Sequence, residues 1–110
     1  MQKTSLTALA RHELESATGA SSGRSSKTVY GGHEKVLRQT VVALRSGQSL
    51  GEHDNPGEAT IFVLSGRIML NSGESSWSGW VGDLLIVPDA PHSVEATEDA
   101  VFLLTVAKLR

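Results

Sequence analysis

The stretch GQSLGEHDNPGEATIFVLSG, residues 47–66, contains the features that decide the fold. It begins and ends on glycine, and its second half, ATIFVLS, has the β-branched and aromatic residues that suit a pleated sheet. Because successive side chains of a strand point to opposite faces, Ala59, Ile61 and Val63 share one face and Glu58 lies on the other. The alternation predicts a strand whose apolar face is turned towards a core.

The chain after residue 27 repeats this pattern of short apolar runs separated by turn residues. The runs are KTVYG, KVLRQTVVAL, RIMLN, SWSGWV, DLLIVP, HSVEA and VFLLTVAKL. Between them, NSGE at residues 71–74 predicts a hairpin turn, Gly82-Asp83 another, and PDAP at residues 88–91 a rigid corner. About seven strands at short intervals, with no second helix among them, predict a small antiparallel β-sandwich or barrel.

The first 27 residues differ in composition from the rest. In SLTALARHELESA, residues 5–17, apolar side chains recur at helical spacing, and Thr4 or Ser5 is placed to cap the first turn. The following TGASSGRSS, residues 18–26, has the small polar composition of a flexible connection. We therefore expect an N-terminal helix and Ser/Gly-rich connection over residues 1–27 and a β-barrel over residues 28–110.

Charge and cysteine content exclude several classes of function. Ten Lys and Arg against twelve Asp and Glu give a net charge of −2 without a basic face, so nucleic acid is not an expected partner. The absence of cysteine excludes a disulfide framework, a thiolate metal site and a cysteine nucleophile. No apolar stretch approaches the roughly 18 residues needed to cross a bilayer, and the N-terminus lacks a signal-peptide core. We expect a soluble cytoplasmic protein without a membrane partner.

The glycine-bounded stretch resembles the first motif of the cupin superfamily. That motif is Gly, five residues, His-x-His, three or four residues, Glu, six residues and Gly. The chain has Gly47, His53 and Gly66 in the motif positions. It has Asn55 where the second histidine belongs and Ala59 where the glutamate belongs.

A second segment resembles the second cupin motif, which is Gly, five residues, Pro-x-Gly, two residues and His. Gly82 and Pro88 fit, Ala90 replaces the glycine, and His92 comes one residue early. The resemblance covers roughly residues 36–107. It implies a small jelly-roll barrel of the single-domain, cupin 2 conserved-barrel type, preceded by the short N-terminal helix.

The resemblance also implies a metal site, of which only part is present. Cupins usually bind a divalent metal through three histidines and a glutamate, and only His53 and His92 remain here. These two could hold Zn, Fe, Ni, Mn or Cu with help from Asn55, or from Glu58 if an irregularity at Pro56-Gly57 turned it inward. The alternative is a metal-free pocket in which the two histidines are hydrogen-bonded to each other, to Asn55 or to water.

The pocket implied by the resemblance is lined by His53, Asn55, His92, Ile61 and Val63. Arg38 and Gln39 are adjacent in an apolar strand, so one of them faces inward, and we take Arg38 as the candidate pocket residue. There it could contact a carboxylate or carbonyl group of a ligand; the other reading places it at the rim or in a buried pair. The other two histidines need no role in the pocket, since we expect His33 to lie in a loop and His12 on the solvent-exposed face of the helix.

Two functional classes remain. The first is a small-molecule binding module or sensor whose barrel has lost its metal. The second is a metal-dependent small-molecule enzyme of dioxygenase, isomerase or lyase type that uses His53 and His92. A third side chain converging on the two histidines would favour the enzyme. No phosphate-binding glycine loop or serine nucleophile elbow is present, and no residue is assigned a catalytic role.

Two features favour a homodimer. Trp77 and Trp80 lie three residues apart, so in a regular strand they face opposite ways, which predicts one in the core and one available to an interface. VFLLTV, residues 101–106, is apolar on both faces. Small cupins are commonly dimers, and an interface would cover the second face. Burial under the second sheet and the N-terminal helix would explain the same pattern within a monomer.

Overall fold

The computed structural model describes residues 2–53 and 57–108, which contain one helix and nine strands. In chain order they are α1 (Leu6–Gly19), β1 (Arg24–Tyr30), β2 (Leu37–Leu44), β3 (Ser49–His53), β4 (Gly57–Ser65), β5 (Arg67–Ser72), β6 (Ser75–Trp80), β7 (Leu84–Ile86), β8 (His92–Ala96) and β9 (Ala100–Lys108). Within these residues no helix is long and apolar enough to span a membrane.

The strands form two antiparallel sheets. The larger sheet has the order β1-β2-β9-β4-β7, and the smaller has the order β3-β8-β5-β6. Their facing surfaces enclose the main apolar cluster, to which β2, β4, β8 and β9 all contribute. The predicted small antiparallel jelly-roll barrel with a short N-terminal helix is confirmed.

The predicted helix is confirmed and lies on the outer face of the larger sheet. Ser5 caps it, and its side-chain oxygen accepts a hydrogen bond from the backbone N–H of Ala8 at 3.2 Å. Buried Ala10 and Ala17 pack in a second apolar cluster with Val41, Ala43 and Val101 of the sheet. The helix thus covers the part of the larger sheet's outer face that β2 and β9 form.

Strand β9 shows why VFLLTV is apolar on both faces. Phe102 and Leu104 pack in the main cluster between the sheets, whereas Val101 and Leu103 pack under α1. Both faces are therefore covered within one chain, as the monomer explanation requires. This strand needs no interface to account for its composition.

Strand β4 has the side-chain directions that its sequence predicts. Ala59, Ile61 and Val63 are buried in the main cluster, and Glu58 is exposed. The register of β4 with β9 is continuous from Gly57 to Val63. No bulge in that part of the strand turns Glu58 towards the interior.

The motif glycines occupy turns that need unusual backbone angles. Gly66 joins β4 to β5 with φ of +73°, and Gly82 precedes β7 with φ of +89°. Positions with such positive φ angles favour glycine, because a residue with an L side chain is strained in the left-handed region. The hairpin predicted at residues 71–74 is confirmed, since Gly73 has φ of +58° between β5 and β6.

Strand β1 begins earlier than the composition indicates. It starts at Arg24, inside the stretch expected to be a flexible connection and before the expected boundary at residue 28. The hydroxyl of Ser25 donates to Oε1 of buried Glu13 at 2.6 Å, and Ser26 pairs with Val42 of β2. Small polar residues therefore form an edge strand here because the helix and β2 hold them.

The prediction that one tryptophan lies in the core is wrong. Trp77 and Trp80 are both about half exposed, at 47% and 51%. Strand β6 is the edge of the smaller sheet, and Gly79 takes the position next to the core. A Cβ on Gly79 would lie 2.8 Å from Cδ1 of Leu85, so the Leu85 side chain would have to shift to admit one.

Candidate functional site

Of the predicted pocket residues, Arg38 and His92 lie near the starts of β2 and β8, towards one end of the barrel. Arg38 pairs with Val106, Val106 pairs with Ala59, and the N–H of Val87 donates to the carbonyl of Ala59 at 3.0 Å. The loop after Val87 then leads into β8, which begins at His92. We call this end the mouth and define it by these five residues, Arg38, Ala59, Val87, His92 and Val106.

His92 is a buried polar group that a backbone carbonyl orients. Its residue is only 4% exposed, and it alternates along β8 with Val94 and Ala96 of the main cluster, so its ring lies on the inner face. Nδ1 lies 3.0 Å from the carbonyl oxygen of Ala90. Since a carbonyl only accepts, Nδ1 carries the hydrogen and donates it, which orients the ring. In the neutral ring Nε2 is then the acceptor or ligand nitrogen.

His53, the histidine of the first motif, lies next to His92 in the register of the smaller sheet. The Cα of His53 pairs with that of His92 across β3 and β8, after a register shift that follows Leu50. The structure therefore brings the two histidine backbones side by side, although they are far apart in sequence. The side chain of His53 and the whole of Asn55 lie outside the described residues, so their part in the pocket stays a prediction.

Arg38 takes the inward direction and Gln39 the outward one. Arg38 is half-buried and alternates along β2 with Thr40 and Val42, and Val42 belongs to the main cluster. Gln39 donates from Nε2 to the Oγ1 of Thr105 at 3.2 Å. Arg38 is thus on the inner face of the larger sheet and His92 on that of the smaller one, each near the start of its strand.

Ile61 and Val63 lie deeper in the barrel than the mouth. Both are at most 1% exposed, and they follow Ala59 on the inner face of β4. Their side chains pack in the main cluster, so they belong to the packed interior between the two sheets.

The donors in the described residues do not fit a divalent metal. Among the side chains that the structure describes, those of residues 2–51 and 57–108, no three His, Asp or Glu come together. Glu58 is exposed on the outer face, and His12 and His33 are exposed on α1 and in a loop. Metal sites built on imidazole usually have three or more good protein donors. A metal at the mouth would depend on His53 and Asn55.

Sequence reasoning missed Val87 and Val106 as mouth residues. Val106 could have been found from the alternation within VFLLTV, which puts it on the same face as Phe102 and Leu104. The alignment of Val106 with both Arg38 and Ala59 had no local signal, because these strands are far apart along the chain. Only the assembled sheet shows which ends meet.

No protein-family model and no curated protein matches the chain. Solved structures match it well. A conserved protein of unknown function from Streptococcus pyogenes is 28% identical, with 83% of this chain and 79% of that one covered at a TM-score of 0.74. An RmlC-like cupin protein from Desulfovibrio desulfuricans is 26% identical, with 76% and 81% covered at a TM-score of 0.67. A cupin 2 conserved barrel domain protein from Leptotrichia buccalis is 29% identical, with 77% and 41% covered at 0.70.

Proposed function

Since the chain has the cupin fold, we propose that it binds a small molecule at the mouth of its barrel, in contact with His92. The observation that carries this proposal is the burial of an imidazole that the Ala90 carbonyl orients, on the same face of β8 as apolar Val94 and Ala96. Ligand sites are mostly apolar and contain a few precisely placed polar groups. Burial of a polar group costs free energy, so an imidazole held there by the Ala90 carbonyl is a candidate for function.

The two polar groups of the mouth indicate the ligand's chemistry. Arg38 presents a planar cation from the larger sheet, and His92 presents a ring nitrogen from the smaller one. Guanidinium groups match carboxylates through two parallel hydrogen bonds. Ala59, Val87 and Val106 offer apolar contacts between them. A small molecule with a carboxylate or carbonyl group at one end and an apolar body fits this arrangement.

NMR titration tests the proposal. Acetate, pyruvate, succinate and benzoate are added separately to ¹⁵N-labelled protein, and the backbone amide signals are followed. We expect at least one acid to cause saturable shifts at Ala59, Val87 and His92. His92→Ala should weaken its affinity about tenfold or more, which corresponds to about 1.4 kcal/mol. His33→Ala removes an exposed histidine and serves as the matched control.

Two results would contradict the proposal. One is the absence of saturable shifts with all four acids, which would reject the carboxylate chemistry. The other is an unchanged affinity in His92→Ala, which would place the ligand elsewhere. A loss of affinity in His33→Ala as well would mean that the histidine changes act through the fold and not through the mouth.

A metal-dependent enzyme is the second candidate. One observation favours it: histidines that bind metals usually donate their other ring N–H to a carbonyl or carboxylate, as His92 does to Ala90. The described residues do not supply the further donors. The candidate therefore depends on His53, and the metal content of the protein decides between the two.

A further inference from the structure

Exposed large hydrophobic side chains cluster at one edge of the barrel. We call this cluster the β7 patch, and its members are Phe62, Trp77, Val81, Leu84 and Ile86. They are between 37% and 70% exposed. Trp80 is nearby, but its ring has a partner in the chain, since the guanidinium carbon of Arg67 lies 4.1 Å from the ring centroid.

Four members of the β7 patch adjoin one another, and the fifth, Val81, lies in the turn that joins β6 to β7. Phe62 and Leu84 are direct partners across β4 and β7, and Ile86 pairs with Thr60 on the same face. Trp77, Leu84 and Ile86 line one cavity of about 420 Å³ beside the β7 edge. The patch therefore runs from the outer face of the larger sheet around its edge to β6.

Helix α1 leaves this part of the outer face uncovered. Its apolar side chains pack on Val41 and Ala43 of β2 and Val101 of β9. Strand β7 lies at the far edge, beyond β9 and β4 in the sheet order. Leu84 and Ile86 are consequently 60% and 70% exposed on a sheet whose other half is covered.

We propose that the β7 patch is the interface of a homodimer. A two-fold interface brings a surface against a copy of itself, so that surface must be self-complementary. No member of the patch is charged, and a copy therefore meets it without like-charge repulsion. The neighbouring carboxylate, Asp83, accepts a hydrogen bond from the backbone N–H of Trp80 at 2.8 Å within the same chain.

The strand itself suits a two-fold partner. Strand β7 is an edge strand of the sequence Leu84-Leu85-Ile86. An antiparallel copy centred on Leu85 would put Leu84 opposite Ile86 on each side, with apolar groups meeting at both positions. The exposed area fits as well. Five half-exposed side chains of this size present roughly 500 Å² per copy, most of the about 800 Å² per partner of a standard interface.

Molar mass in solution tests the inference. Wild type, Ile86→Glu and Val36→Glu are measured by sedimentation equilibrium over a wide range of protein concentration. Val36 is the matched control, since it is 64% exposed and lies outside the patch, before β2. We expect wild type and Val36→Glu to be dimers with twice the chain mass of 11.7 kDa, and Ile86→Glu to be a monomer with that mass.

Leu84→Ser is a milder change and should raise the dimer dissociation constant about tenfold. Circular dichroism checks that each variant keeps the wild-type fold. A wild type of single mass at all concentrations, or an Ile86→Glu variant that still dimerises, overturns the inference. An equal loss of the dimer in Val36→Glu overturns the assignment of the interface to the patch. The binding tests at His92 do not depend on either result.

Discussion

Gly66 is the position at which we expect one added methyl group to destabilise the fold most clearly. Its φ of +73° costs an alanine about 1–2 kcal/mol. In addition, a Cβ there would collide with the carbonyl oxygen of Asp99 and lie 2.7 Å from the Cα of Ala100. Both contacts are backbone, so no rotamer change relieves them, and forcing extra volume into packed structure costs about 1–3 kcal/mol more. Gly66→Ala should therefore lose about 2–5 kcal/mol in total.

Gly73 provides the control for this substitution. It has φ of +58°, but a Cβ there would have no neighbour within 4 Å. Gly73→Ala should lose only the conformational part, about 1–2 kcal/mol. The two variants are compared by urea denaturation followed by circular dichroism, at one protein concentration because dimerisation would make stability concentration-dependent. If the unfolding free energies of the two variants lie within about 0.5 kcal/mol of each other, the close approach of Gly66 to the backbone of Asp99 and Ala100 is refuted.

Two further predictions concern the helix and the metal. Glu13→Ala removes the buried carboxylate that accepts a hydrogen bond from Ser25, and it should lower the free energy of unfolding by about 1.5–3 kcal/mol. Glu15→Ala, on the exposed side of the helix, is the control and should cost less than about 0.5 kcal/mol in the same denaturation assay. Equal costs would contradict this role of the Glu13 carboxylate. Elemental mass spectrometry of untagged protein, purified without chelator, should find no stoichiometric Zn, Fe, Ni, Mn or Cu. Near-stoichiometric metal that disappears in His53→Ala/His92→Ala would instead support the enzyme.

The barrel could be predicted because its information is local. The glycines at positions 47, 66 and 82 and the proline at 88 mark turns, and the alternation in ATIFVLS gives the buried face directly. The helix was equally readable from its apolar spacing and its Ser5 cap. Such signals depend on the backbone preferences of a few neighbouring residues, and the assembled fold obeys them.

The misplaced features depend on distant residues. Arg24 and Ser25 read as a flexible connection, and they become a strand because Glu13 and β2 hold them. Trp77 and Trp80 were expected to divide between core and surface, but β6 is an edge strand, and edge position is a property of the whole sheet. No window of sequence around β6 contains that information.

The sequence predicts one residue of the candidate site from motif spacing, but it does not predict the neighbours of that residue. The motif spacing identifies His92 as a candidate, and the structure buries this residue on the inner face of β8. The identity of its neighbours follows from register between strands, which brings Arg38, Ala59 and Val106 into line. A shift of one residue in any of these strands would reverse its inner and outer faces, so spacing alone could not assign the mouth.

The most direct test of the account is the state of the His92 ring, observed by long-range ¹H–¹⁵N NMR of the side-chain nitrogens. In the free protein we predict that Nδ1 carries the hydrogen, as the 3.0 Å contact with the Ala90 carbonyl requires. Adding the tightest of the four acids to saturation should shift the Nε2 signal while Nδ1 stays protonated. Ring signals that stay unchanged at saturation would contradict the claim that the ligand binds at His92.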